Sequence, residues 1–182
     1  FDIIIPGKSL DELSGMMGDG IEDVKVQVSE NQVLFIFGNT HFYSRLLEGN
    51  YPETSQLIPT TSDTTVEVEA GTFLSSIDRA SLLSPESRNA VVKLTLQPAT
   101  QRVKISSDSP DIGTVEEEVA TTALEGQDLE ISFNPNYMKD ALRSFGQSTI
   151  RISFTSALRP FTLVPTEDTE NFVHLITPVR TF

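Results

Sequence analysis

The 182-residue chain has no cysteine, no tryptophan and only two histidines. No apolar run approaches the roughly 20 residues that a membrane-spanning helix needs. The missing cysteine excludes disulfides and thiolate metal sites, which fits a reducing cytoplasm. His41 and His174 fall far apart in two predicted strands, so they read as structural histidines and no metal site is expected. Positive charge is also scarce: 13 Lys and Arg stand against 26 Asp and Glu, a formal net charge of -13. That balance excludes a generally basic nucleic-acid-binding surface. The acids are clustered, however, at Glu116-Glu117-Glu118, around Glu125, Asp128 and Glu130, and at Glu167, Asp168 and Glu170. A weakly basic face elsewhere remains compatible with the total.

Catalytic motifs are absent too. The chain holds no G-x-S-x-G elbow and no H-E-x-x-H helix. The run Gly15-Met16-Met17-Gly18-Asp19-Gly20 has the glycine content of a phosphate loop. It follows a predicted helix where a phosphate loop follows a strand, so it reads as helix termination. The glutamate triplet is a weak cation site, because successive carboxylates on a strand point to opposite faces. The expectation is a protein that is not an enzyme and has no cofactor.

What the chain does have is a pattern stated three times at intervals of about 60 residues. A short apolar strand opens each copy: Phe1 to Pro6, Thr65 to Ala70, and Leu129 to Phe133. An amphipathic helix follows at once, and then three alternating strands. In the first copy, Leu10, Leu13, Met16 and Met17 form a stripe expected to face a core. The second helix is predicted over Thr72 to Leu83, with Leu74, Ile77, Ala80 and Leu82/Leu83 at helical spacing; the third spans Pro135 to Phe145. Residues Glu48 to Asp63, with Gly49, Pro52 and Pro59, read as a connector. Copies two and three are expected to form one complete domain, and copy one half of another.

Four strings then act together: Leu46-Leu47-Glu48-Gly49-Asn50-Tyr51-Pro52, Leu82-Leu83-Ser84, Phe133-Asn134-Pro135-Asn136-Tyr137, and Thr177-Pro178-Val179-Arg180. They resemble the bacterial beta sliding clamp family, the processivity subunit of DNA polymerase III, over essentially the whole chain. The resemblance implies an α+β fold of repeated β-α-β-β-β units, with antiparallel sheets outside and helices on the inner face. Residues 1–62 would be the second half of a middle clamp domain plus connector, and 63–182 a complete C-terminal domain. Such a fragment is not expected to close a ring. The full-length relative would be a cytoplasmic homodimer that encircles duplex DNA non-specifically, with no membrane partner. It would dock the polymerase III catalytic subunit, the clamp loader and other proteins carrying a clamp-binding motif.

Site residues follow from the same resemblance. Lys8, Arg79, Lys139 and Arg143 lie off the apolar stripes and would face the duplex; solvated helix faces are the plain alternative. A partner-peptide pocket would draw Pro52, Gln56, Leu57 and Arg88 from the connector and second copy. From the third copy it would take Asn134, Tyr137, Leu158 and Pro160. The tail would complete it with Leu175, Ile176, Thr177, Pro178, Val179 and Arg180. Leu175 and Ile176 are equally readable as core. The ring interface would use Leu82 and Leu83, again with core as the alternative, together with some of Glu116, Glu117 and Glu118. Two other functions stay open: a β-rich module for a small ligand or peptide, and the non-catalytic half of an enzyme.

Overall fold

The structure is a computed structural model that describes residues 2–18, 23–82, 91–109, 113–167 and 172–180. The chain divides into two compact units, Phe1–Glu53 and Thr54–Phe182.

The first unit contains helix α1 (Gly7–Met16) and strands β1 (Lys25–Val28), β2 (Gln32–Phe37) and β3 (Thr40–Arg45), joined as an antiparallel sheet in that order. Val33, Phe35 and Phe37 alternate along the central strand, so all three reach the same face and bury there with Leu13. Gly38, at φ 52, makes the two-residue turn from β2 to β3. Two expectations fail in this unit. Residues 2–6 do not form a strand; Ile3 and Ile5 pack on the core, and Ile4 only accepts a hydrogen bond from the Leu47 amide, at 2.8 Å. The stripe of α1 is also not a core face: Leu13 alone is buried, while Leu10, Met16 and Met17 are exposed.

The second unit explains both failures. It contains β4 (Thr64–Glu69), α2 (Ala70–Ser81), β5 (Val92–Gln97), β6 (Arg102–Ser109) and β7 (Gly113–Glu118) from one copy of the pattern. A short strand β8 (Ala123–Gly126) leads into the other copy: β9 (Leu129–Phe133), α3 (Pro135–Phe145), β10 (Thr149–Phe154), β11 (Phe161–Pro165) and β12 (His174–Ile176). The two copies exchange opening strands. One sheet runs β12-β11-β10-β4-β8 and the other β7-β6-β5-β9. Each opening strand therefore pairs with the second strand of the other copy, Val66 opposite Ile152 and Ile131 opposite Leu94. The helices pack against each other. The first unit has one copy, so it offers residues 2–6 no such ladder and α1 no such neighbour.

Helix boundaries follow from local chemistry. The Glu69 carboxylate accepts from the amides of Gly71 and Thr72 and so caps α2. Asn134 caps α3 by accepting from the Asn136 amide at 2.9 Å, with Pro135 at the first position and Gly146 (φ 62) ending the helix. Phe73, Ile77, Met138 and Leu142 bury the inward faces. Phe133 of one sheet meets Phe161 of the other at 5.8 Å between ring centres, and Phe154 lies 5.0 Å from Phe161. One core thus joins both copies, and none of the described helices is long and apolar enough to cross a membrane.

Candidate nucleic-acid and partner interface

Three of the four helix cations expected to face a duplex lie in the second unit, and each has a carboxylate partner. Arg79 forks onto Glu117: its Nε donates to Oε2 at 2.9 Å and its Nη2 pairs with Oε1. Lys139 reaches from α3 to α2, donating to the Ser81 hydroxyl at 3.1 Å and lying 3.5 Å from Asp78; its side chain is only 17% exposed. Arg143 pairs with Asp140 one turn back, at 2.9 Å. Lys8, in the first unit, is exposed on α1. Along α2 and α3 these three cations have their charge largely compensated by Glu117, Asp78 and Asp140.

Strand β7 resolves the glutamate triplet. Glu116 and Glu118 lie on one face, where they pair with Lys104 and Arg102 across the ladder. Glu117 points to the other face, toward α2. Its carboxylate also accepts from the Ser76 hydroxyl at 2.8 Å, and Ser76 is buried. The guanidinium fork of Arg79 and then the Ser76 hydroxyl hold the Glu117 carboxyl below the usual carboxylate range, against the opposing effect of its burial. Beyond the end of α2, Leu82 is 80% exposed, which removes the core alternative for that residue. Leu83 and Arg88 lie outside the described residues.

The tail is positioned by both sheets. Ile176 pairs with Phe161 and is buried in the main core, so for Ile176 the core reading holds; Leu175 is half-buried. After Thr177 and Pro178, the Val179 amide donates to the Ser132 carbonyl at 2.7 Å. This holds the half-buried Val179 beside β9, two residues before the Asn134 cap of α3. Tyr137, in the first turn of α3, is 61% exposed, and Leu158, in the β10–β11 turn, is exposed as well. Pro160 sits where the β11–β12 ladder ends and Thr177 begins. Gln56, Leu57 and Arg180 are exposed, and Pro52, in the first unit, is exposed too. The Asn134 side-chain oxygen is engaged in capping α3.

Sequence reasoning missed a second polar cluster at the other end of α3. His174 lies 2.8 Å from the Ser144 hydroxyl and edge-on to Phe145 and Phe172. Ser144 donates its single hydroxyl proton to the Ala141 carbonyl, so the His174 Nε2–H must be the donor to Ser144. Burial pushes the imidazole below its ordinary pKa. A cleft of about 770 Å³ beside it is lined by Ser144, Gln147, Thr149, Pro165 and Phe172. Only the strand position of His174 is legible in the sequence; its ring neighbours come from non-adjacent segments.

Residues 55–180 match the family model for the DNA polymerase III beta subunit, C-terminal domain, and residues 1–53 match the central-domain model of the same subunit. The chain belongs to the DNA polymerase III beta subunit family. It is 50% identical, over all 182 residues, to the beta sliding clamp of Bacillus subtilis (strain 168). It is 46% identical over 181 residues to the beta sliding clamp of Streptococcus pneumoniae (TIGR4). The crystal structure of the B. subtilis DNA polymerase sliding clamp superposes with a TM-score of 0.94, covering 100% of this chain and 47% of that one. The chain spans about half the length of the curated relatives it matches, 48% for the B. subtilis protein and 47% for the S. pneumoniae protein.

Proposed function

We propose that this chain is the C-terminal portion of a DNA sliding clamp, a non-catalytic accessory subunit that keeps a replicative polymerase on its template. The observation that carries the reading is the whole-length agreement in fold, at 50% identity, with a clamp whose structure is known. Residues 1–62 are the second half of a middle domain with its connector, and 63–182 a complete last domain. In the full-length protein, two subunits close a ring around duplex DNA in the cytoplasm. Lys139 and Arg143 line the hole, and their pairing with carboxylates favours sliding over tight retention. Leu82 and the β7 edge form the seam between subunits.

Partner proteins, among them the polymerase catalytic subunit and the clamp loader, dock through short apolar peptides. Val179, Pro178 and Thr177 with Tyr137, Leu158 and Pro160 supply the wall from the last domain; Leu175 and the buried Ile176 support it from beneath. Gln56, Leu57 and Arg180 line its rim. The held position of Val179 beside the start of α3 supports this reading, since a valine fixed just past a strand end offers a rigid apolar anchor. The test is a titration of the full-length protein with a clamp-binding peptide. Val179→Asp should weaken binding about tenfold or more, as loss of a central anchor does. Unchanged affinity would remove the tail from the site.

A further inference from the structure

Two residues that the family resemblance places on different surfaces are bonded to each other. Arg79 belongs there to the duplex-facing set and Glu117 to the ring-closing strand, yet both nitrogens of the Arg79 fork engage the Glu117 carboxylate. The contact is built into the fold. Ser76, buried one turn before Arg79 on α2, donates to the same carboxylate and receives the Arg79 Nη2 at 3.2 Å. Leu82, one turn after Arg79, donates its amide to the Arg79 carbonyl and exposes its side chain. The guanidinium is thus held on Glu117, and the exposed Leu82 follows one turn later on the same helix.

Strand β7 has reason to need such a contact. It is the last strand of its sheet, with β6 as its sole ladder partner among the described residues. A terminal strand with one ladder frays more readily than an inner one, and its outer backbone groups serve as an edge only if they are held in line. Lys104 and Arg102 hold the outward carboxylates of Glu116 and Glu118. Arg79 and Ser76 hold the strand from its opposite face, through Glu117. A bidentate arginine–carboxylate fork fixes direction as well as distance, which a lysine in its place would not do.

We propose that Arg79 is a positioning residue for the subunit seam: through Glu117 it fixes β7 against α2, and it does not serve the duplex. The inference rests on the reading of β7 and Leu82 as the seam. The test uses the full-length protein with Arg79→Gln, Glu117→Gln, the double variant, and the exchanged pair Arg79→Glu with Glu117→Arg. Dimer dissociation is measured by sedimentation on dilution, and duplex retention is measured against salt. Each single change should raise the dimer Kd by about fivefold, and the double change by no more than the worse single one, because bonded partners are non-additive. The exchanged pair should recover most of the loss, and the salt slope should not move.

An Arg79→Gln variant whose log–log salt slope falls by about one, with the dimer Kd unchanged, would make Arg79 a phosphate contact and overturn the proposal. Additive effects, or no effect on either quantity, would overturn it as well. Leu82→Asp separates this from the underlying reading. If that change leaves the dimer intact, the seam assignment itself fails; if it dissociates the dimer while the Arg79 and Glu117 variants do not, the strut alone fails.

Discussion

Replacing Gly126 with alanine would put a methyl carbon 2.1 Å from the Asp63 carbonyl oxygen and 2.6 Å from the Thr64 Cα. Neither neighbour is free to move. Asp63 donates its amide to the Phe154 carbonyl at 2.8 Å, and Thr64 is buried and paired with Gly126 in the β4–β8 ladder. The Thr64 hydroxyl donates to the Gln127 carbonyl at 2.8 Å and accepts from the Gln127 amide at 3.2 Å. Relief of the clash needs a shift of about 1 Å, which breaks that pair of hydrogen bonds at about 1 kcal/mol each. Gly126 also sits at φ 109, where a side chain adds strain of about 1–3 kcal/mol. The sum is about 3–5 kcal/mol.

Gly113 is the control. It has φ 119, but a methyl group added there would meet no heavy atom of the described residues within 4 Å, so Gly113→Ala carries the strain alone, about 1–3 kcal/mol. Urea unfolding followed by circular dichroism compares the two. The midpoint should fall further for Gly126→Ala at similar slope, by an amount worth about 2 kcal/mol, the two lost hydrogen bonds. Equal destabilisation of the two variants would refute the steric argument and with it the tight closure of β8 on β4.

Three further outcomes follow from the same geometry. Phe161→Ala empties the position where the aromatic rings of both sheets meet, and should cost about 3–5 kcal/mol in the same unfolding assay. Glu69→Ala removes the cap of α2 and should cost about 1 kcal/mol. The Thr72 and Gly71 hydrogen bonds hold the Glu69 carboxyl below its ordinary pKa, so its contribution is present above about pH 4.5 and is lost as pH falls through the folded value. His174 is depressed by burial, so the unfolded chain binds its proton first; stability is full above about pH 6.5 and declines as pH falls through the folded value. His174→Gln, read by thermal melts from pH 7 to 5, should flatten that decline, and an unchanged profile would assign it to other groups.

The alternation of Val33, Phe35 and Phe37 and the Asn134-Pro135 start of α3 were legible because their causes are local. Periodicity marks a strand wherever it pairs, and a cap with a proline marks a helix start. The exchange of opening strands was not legible, since Val66 meets Ile152 through a partner far along the chain. For the same reason residues 2–6 carry the strand pattern without the ladder, and the stripe of α1 reads as core although most of it is exposed. Strand β8 is too short to show a period, and only its pairing with β4 defines it. At the candidate surfaces the sequence marked the cations and glutamates but not that they neutralise one another. Helical spacing shows the Arg143–Asp140 pair within α3, whereas the carboxylates that meet Arg79 and Lys139 arrive from another strand or helix.

The full-length protein loaded on nicked circular duplex DNA, which is then cut once, tests the clamp reading most directly. A topologically linked ring stays on the closed circle and is lost from the ends once the circle is opened. Retention that is the same before and after the cut would contradict it.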